Sequence, residues 1–308
     1  MMKTAFLFAG QGSQYVGMGR NLANQIKESM DIFEKAQEVL DFDIKELCFQ
    51  DESRRLNQTQ YTQPAILTVS IAAFEAIKNH IKPDLVAGLS LGEYSALVAS
   101  GALDFKDAVS LVRKRGQFME EAVPEGIGGM RAVLGLSIEE VNSVLATIQN
   151  GIVEVANYNC PGQIVIAGEI DALDLAEEKL KEAGAKRILS LSVSGPFHTS
   201  MLKGAAKKLE KELEKINFKE PLIPVISNVG AKYIEIKEIK DTLKRQVMSS
   251  VYWEQSINKM LENGIDTFVE LGPGKVLSGF IKKINRSVTV CNIEDMQSLE
   301  KTLDILGR

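Results

Sequence analysis

The stretch Asp84-Leu85-Val86-Ala87-Gly88-Leu89-Ser90-Leu91-Gly92-Glu93-Tyr94-Ser95-Ala96-Leu97-Val98-Ala99-Ser100 decides the fold. Residues 84–89 form an apolar run of strand length, residues 92–100 carry apolar side chains at helical spacing, and Ser90 stands between flanking glycines. A GxSxG turn between a strand and a helix is the setting of a nucleophile elbow. The glycines relieve crowding at a strained turn, the serine oxygen projects over the sheet edge, and the helix N-terminus points its amides there.

Working outward, the same alternation recurs. Residues 4–9 read as a buried strand, 10–19 as a glycine-rich turn, and 21–40 as a helix. A polar stretch at 51–59 precedes a helical pattern over 63–81, which Pro83 stops. From residue 126 the pattern changes: strand 130–136, helix 138–149, strands 153–158 and 163–168, helix 172–183, strand 186–193. The order βαββαβ marks a ferredoxin-like module. No Pro- or Ser-rich linker flanks it, so residues 126–195 are expected as an insertion into a larger α/β domain made of 1–125 and 196–308. Beyond it come helix 201–216, strand 223–227, helices 239–248 and 253–263, strand 267–271 and a last strand near Val288.

Composition narrows the function. With 308 residues and 45% hydrophobic content the chain can bury a full core, and a formal charge of -5 with interspersed signs favours neither nucleic acid nor a membrane surface. The three cysteines, Cys48, Cys160 and Cys291, are far apart and outside any CxxC spacing, which argues against disulfides or zinc and for a reducing cytoplasm. The apolar run at the N-terminus is too short for a signal peptide, and no segment could span a bilayer. A cytoplasmic small-molecule enzyme with no metal fits best.

A serine needs a base, and the chain has only His80 and His198. His80 lies in a charged helix end and reads as a solvated cap. His198 lies in Gly195-Pro196-Phe197-His198-Thr199, just past a strand, where loop residues on a rigid scaffold tend to act. No Asp or Glu between Ser90 and His198 is marked as a triad partner. A backbone carbonyl can orient the ring instead, so dyad and triad both remain open. Gly10-Gln11-Gly12-Ser13-Gln14 lacks the third glycine of a dinucleotide fingerprint, because position 15 is Tyr15. It is better read as an oxyanion loop, with the amides of Gln11 and Leu91 as donors. Gly272-Pro273-Gly274-Lys275 departs from the phosphate-loop pattern and reads as a turn. Arg115 and Met119 share a helix face, although Arg113, Lys114 and Arg115 by composition alone read as a solvated charged stretch.

These residues resemble the malonyl-CoA:acyl carrier protein transacylases and the acyltransferase domains of polyketide and animal fatty acid synthases. FAGQGSQ with MG at the start, QPA at 63–65, GLSLGEY at 88–94, RGQFM at 115–119, NYN with PGQIVIAG at 157–168, GPFHT at 195–199 and ELGPGKVL at 270–277 match in order. The resemblance implies an α/β-hydrolase-like large domain with an inserted ferredoxin-like small domain and a cleft between them. It implies Ser90 as nucleophile, His198 as base held by a backbone carbonyl near Gln246, and Gln11 and Leu91 as oxyanion donors. Arg115 would pair with the malonyl carboxylate, and Asn157, Asn159 and Asn228 would fall in motifs lining the cleft. Phe197, beside the base, is the expected wall against a methyl branch on malonyl. Two departures stand out: Leu89 precedes the serine where many members have His, and Arg131 stands where small residues are usual.

An acyl-serine can be discharged by water or by a thiol. A buried arginine beside the nucleophile suits transfer of malonyl from malonyl-CoA, a coenzyme A thioester substrate, to the phosphopantetheine thiol of acyl carrier protein in fatty acid synthesis. No bound cofactor is expected. The alternatives are an α/β-hydrolase-class thioesterase or carboxylesterase, and a non-catalytic scaffold that docks carrier proteins. The absence of fused synthase or carrier segments in this chain favours a discrete fatty-acid-type enzyme.

Overall fold

A computed structural model describes residues 2–124, 126–193 and 195–307; Glu125, at the expected domain boundary, and Ser194, near the candidate base, lie outside them. Among the described residues nine strands form two sheets. The first five-stranded sheet contains β1 (Thr4–Phe8), β2 (Leu85–Gly88), β7 (Val225–Ile226), β8 (Thr267–Leu271) and β9 (Thr289–Ile293), in the order β7-β2-β1-β8-β9. All its pairings are parallel. Every residue of β1, β2 and β8 is buried, as a parallel sheet covered on both faces requires, and this is why their sequences are apolar runs rather than alternating ones.

The second sheet is antiparallel, β4-β5-β3-β6, built from β3 (Gly128–Leu134), β4 (Val153–Cys160), β5 (Gln163–Glu169) and β6 (Arg187–Ser190). Alternation along β3 sorts its residues. Val133 packs into the cluster beneath the helices Ile138–Leu145 and Ile170–Glu182, while Met130 and Ala132 face the large sheet. Arg131 pairs with Asp174 and with Glu177 (2.8 Å), so it clips β3 to the helix Ile170–Glu182 and stays out of the cleft. An isolated parallel bridge between Asn157 and Val251 ties β4 to the segment before the helix Trp253–Glu262, through Tyr158 N–H to Val251 O (3.0 Å) and Val251 N–H to Ala156 O (2.8 Å).

Several elements differ from the sequence expectation. The helix expected over 21–40 is two helices, Arg20–Gln25 and Lys27–Gln37, broken where Ile26 adopts extended backbone. The helix expected from 63 starts earlier, as Thr59–Ile77, with Pro64 inside it. Three short or amphipathic helices, Ile44–Phe49, Val276–Ile284 and Met296–Ile305, were not anticipated. The last of these starts from a capping box at Asp295 and Ser298, a local signal readable from sequence.

Candidate active site

In the parallel sheet, β1 is flanked by β2 on one side and β8 on the other, so the direction of winding reverses between β1 and β8, and the turns leaving β1 and β2 line the crevice beside that switch. Ser90 occupies the second of these turns with φ 54°, a left-handed conformation unusual for a residue with a side chain. Packing makes it possible. A Cβ on Gly88 would lie 2.0 Å from the Gly92 main chain, and one on Gly92 would lie 2.1 Å from Phe8 O. Strand, turn and helix therefore approach as closely as bare backbones allow. Asn228 splints the elbow from behind: its Oδ1 accepts from Ser90 N–H (2.6 Å) and its Nδ2 donates to Gly88 O (2.8 Å).

His198, also at positive φ (63°), reaches Ser90 Oγ through Nε2 at 2.8 Å, while Nδ1 lies 2.8 Å from the Gln246 carbonyl. A carbonyl can only accept, so Nδ1 carries the proton and Nε2 presents its lone pair to the serine hydroxyl. Burial, and then the nearby Arg115 charge, lower the His198 pKa from 6.5 to about 4, against the opposing pull of the Gln246 and Ser249 backbone. The ring is neutral at physiological pH. The carbonyl supplies what a triad carboxylate would, which leaves a Ser-His pair.

Arg115, on the helix Phe105–Ala122, is almost fully buried, and its Nη2 donates to Ser90 Oγ (3.1 Å) and to Gln246 Oε1 (3.0 Å). Its carbon centre sits 5.3 Å from the Tyr94 ring centroid. Among the described residues it makes no ion pair, and its buried Nε has no acceptor. Burial lowers its pKa, yet a guanidinium stays charged. The solvated-stretch reading holds for Lys114, which pairs with Glu212 at the surface, but neither for Arg115 nor for Arg113, which stacks on the Tyr61 ring (4.3 Å) and donates to Gln60.

These groups open onto a cleft of about 620 Å³ between the sheets. Gln11, Met119, Phe197, Asn157 and Asn159 line it, together with Leu89, which fills the place before the serine with an apolar wall. The amides of Gln11 and Leu91 have no protein acceptor among the described residues, and the two turns touch: a Cβ on Gly10 would lie 2.5 Å from Leu89 O. One expected cleft residue sits elsewhere: Asn228 is fully buried behind the elbow, consumed in hydrogen bonds to the backbone of the serine turn. Gln246, expected for its carbonyl, also turns its side chain beneath the cleft floor, where Nε2 donates to Ser90 O. His80 is exposed just past the end of the helix Thr59–Ile77 and does not line the cleft.

The family described as acyl transferase domain matches residues 5–302. The chain belongs to that family. A protein from Bacillus subtilis (strain 168) named malonyl CoA-acyl carrier protein transacylase is 48% identical, with 99% of this chain and 98% of that protein covered. A crystal structure of the protein of the same name from Clostridium perfringens superposes with TM-score 0.96 at 52% identity, covering 99% of this chain and 97% of that one. A type II polyketide synthase acyl carrier protein in complex with its malonyl-transacylase provides a third match, TM-score 0.95 at 41% identity, covering 98% and 99%.

Sequence reasoning missed part of this acyltransferase's site. The apolar wall formed by Val276, Leu277 and Phe280 comes from the unanticipated helix Val276–Ile284. Buried Glu270 caps that helix, accepting from Leu277 N–H (3.0 Å) and Ser278 N–H (2.7 Å). A buried acid three residues after the nucleophile, Glu93, lies within the elbow motif and carries no sequence signal of its burial.

Proposed function

We propose that this chain transfers malonyl from malonyl-CoA to the phosphopantetheine thiol of acyl carrier protein through a malonyl-serine intermediate, feeding fatty acid synthesis. The carrying observation is a buried, ion-pair-free Arg115 whose Nη2 lies 3.1 Å from Ser90 Oγ. An acyl group on that oxygen would hold its distal carboxylate only two carbons from the ester carbonyl, so a receptor for it must lie this close. A planar guanidinium with an unused donor can meet the carboxylate with parallel hydrogen bonds.

The proton path follows from the tautomer. Ser90 Oγ attacks the thioester carbonyl while its proton passes to His198 Nε2, and the oxyanion is received by the Gln11 and Leu91 amides. Collapse breaks the carbon–sulfur bond and releases coenzyme A, protonated from Nε2. The carrier thiol then gives its proton to Nε2 and attacks the ester, and Ser90 regains a proton as it leaves. Protein groups suffice, so we assign no resident cofactor or metal.

We further read the large parallel unit, 1–125 with 196–308, as α/β-hydrolase-like, and the inserted unit, 126–195, as ferredoxin-like. Its spatial strand order, second-third-first-fourth, supports the latter. Among the described residues no helix is long and apolar enough to cross a membrane, and we propose a cytoplasmic setting. Intact-mass analysis after mixing with malonyl-CoA, with and without carrier protein, tests the assignment. A malonyl adduct that is absent in Ser90→Ala and is discharged onto the carrier supports it. Release of free malonate with no carrier product would mean a thioesterase, and no adduct at all a scaffold.

A further inference from the structure

Glu93 is fully buried, and no arginine or lysine lies within ion-pair distance of it among the described residues. It stands on the first turn of the helix Gly92–Ala99, where an acid would ordinarily sit in water near the positive helix end. Instead its Oε2 accepts two hydrogen bonds, from Gln246 Nε2 (2.7 Å) and from Asn228 N–H (3.0 Å), while Oε1 is buried without a partner. A carboxyl group kept at such desolvation cost, beside a reacting serine that it does not touch, needs an account.

The account lies in what Gln246 does. A glutamine amide can sit in either of two orientations that differ by exchanging oxygen and nitrogen. Here Nε2 uses one hydrogen on Ser90 O (2.9 Å) and the other on Glu93 Oε2, which forces Oε1 toward Arg115 Nη2 at 3.0 Å. The reversed amide would aim an NH₂ group at a buried guanidinium. We infer that Glu93 is a positioning residue for acyl-group selection: by accepting from Gln246 it fixes that amide so that its oxygen holds Arg115 beside Ser90. The inference rests on Arg115 being the partner of the malonyl carboxylate.

Glu93 also accepts from Asn228, which splints the elbow, so the two limbs must be separated. Loss through the elbow lowers transfer of every acyl group alike. Loss through Gln246 and Arg115 lowers malonyl transfer selectively, since acetyl has no carboxylate to place. The measurement is the ratio of kcat/KM for malonyl-CoA to that for acetyl-CoA. Glu93→Ala should lower the ratio roughly 5- to 100-fold, the range for leaving buried donors unpaired next to a charge. Glu93→Gln should restore it to within about 5-fold of wild type, because its amide oxygen can take both donated bonds while its NH₂ fills the unpartnered Oε1 position. In Gln246→Ala the ratio should fall similarly, and the double variant should fall no further, since both substitutions break one chain of contacts. Should Glu93→Ala not fold, Glu93→Ser, too short to reach Gln246 but able to hold water, replaces it.

Equal loss for malonyl and acetyl in Glu93→Ala, additive effects in the double variant, or a Glu93→Gln ratio as low as that of the alanine variant would overturn the inference. Arg115→Ala separates the two readings. If it leaves the ratio unchanged, the carboxylate-anchor reading fails and this inference with it; if it shifts the ratio while Glu93→Ala does not, only this inference fails.

Discussion

His198 and Arg115 share one pocket with opposite requirements, since the base must be neutral and the anchor charged. Burial and the guanidinium both disfavour imidazolium, and the pKa falls to about 4. The acid limb of kcat/KM in the free enzyme should therefore lie well below the 6.5 of ordinary histidine, with activity level from about pH 5 to neutrality. A limb near 6.5 in the measured profile would mean the ring is solvated or is not the base. The same shift has a stability consequence. Between the two pKa values the unfolded chain binds more protons, so stability from this residue is complete above 6.5 and is lost as pH falls towards 4. The arginine's requirement can be read separately: Arg115→Ala should lower malonyl kcat/KM by roughly 30- to 4,000-fold, the cost of about 2 to 5 kcal/mol for stranding a buried charge. Acetyl transfer should hold or rise, and Arg115→Lys should rescue malonyl only partly because it lacks the fork. An unchanged malonyl-to-acetyl ratio in the alanine variant would remove Arg115 from substrate recognition.

At the scale of elements, the elbow depends on backbones meeting without side chains. Gly88→Ala and Gly92→Ala would each drive a methyl to about 2 Å from main-chain atoms that cannot yield. Both should unfold at a denaturant midpoint lowered by the equivalent of at least 1–3 kcal/mol and form little acyl-serine. Gly204 is the contrast: it lies in the helix Lys203–Leu213 with nothing within 4 Å of an added Cβ, so Gly204→Ala should be neutral or stabilise by up to about 1 kcal/mol. A normal midpoint in Gly88→Ala would show that the turn can relax. These local devices also explain what the sequence disclosed. Ser90, His198 and the β1 and β2 runs were legible because short-range patterns carry them: glycine spacing, apolar runs, a turn after a strand. The Gln246 carbonyl and the position of Arg115 were reached only by resemblance, since nothing within a few residues of either announces His198, 48 positions from Gln246, or Ser90, 25 positions from Arg115. Asn228 was expected in the cleft because motif membership does not say which way an amide points. The helix Val276–Ile284 was hidden by the glycine-proline turn that precedes it, its N-terminus being capped from β8 by Glu270 rather than by its own flank.

The whole molecule joins a parallel sheet that carries the nucleophile to an antiparallel sheet that roofs it. Met130, Ala132 and Val165 of the second sheet face the serine across the cleft, and Glu154 of β4 grips the turn after the base, accepting from Ser200 N–H (2.9 Å) and Ser200 Oγ (2.5 Å). The roof mixes these apolar side chains with the amides of Asn157, Asn159 and Gln163, and the floor sets the buried charge of Arg115 among apolar walls. Such a space shields an ester from water while admitting a narrow pantetheine arm. Among the described residues Ser90 opens onto this cleft, so coenzyme A and carrier use the same approach in turn. Transfer then has two half-reactions with a covalent enzyme between them, and double-reciprocal plots for malonyl-CoA at several carrier concentrations should be parallel. Free coenzyme A and the carrier both react with the malonyl-enzyme, so coenzyme A should inhibit competitively against carrier. Lines that intersect to the left of the axis would require both substrates to be bound together, which a single approach to Ser90 does not permit, and would send the search for a second entrance to the antiparallel sheet.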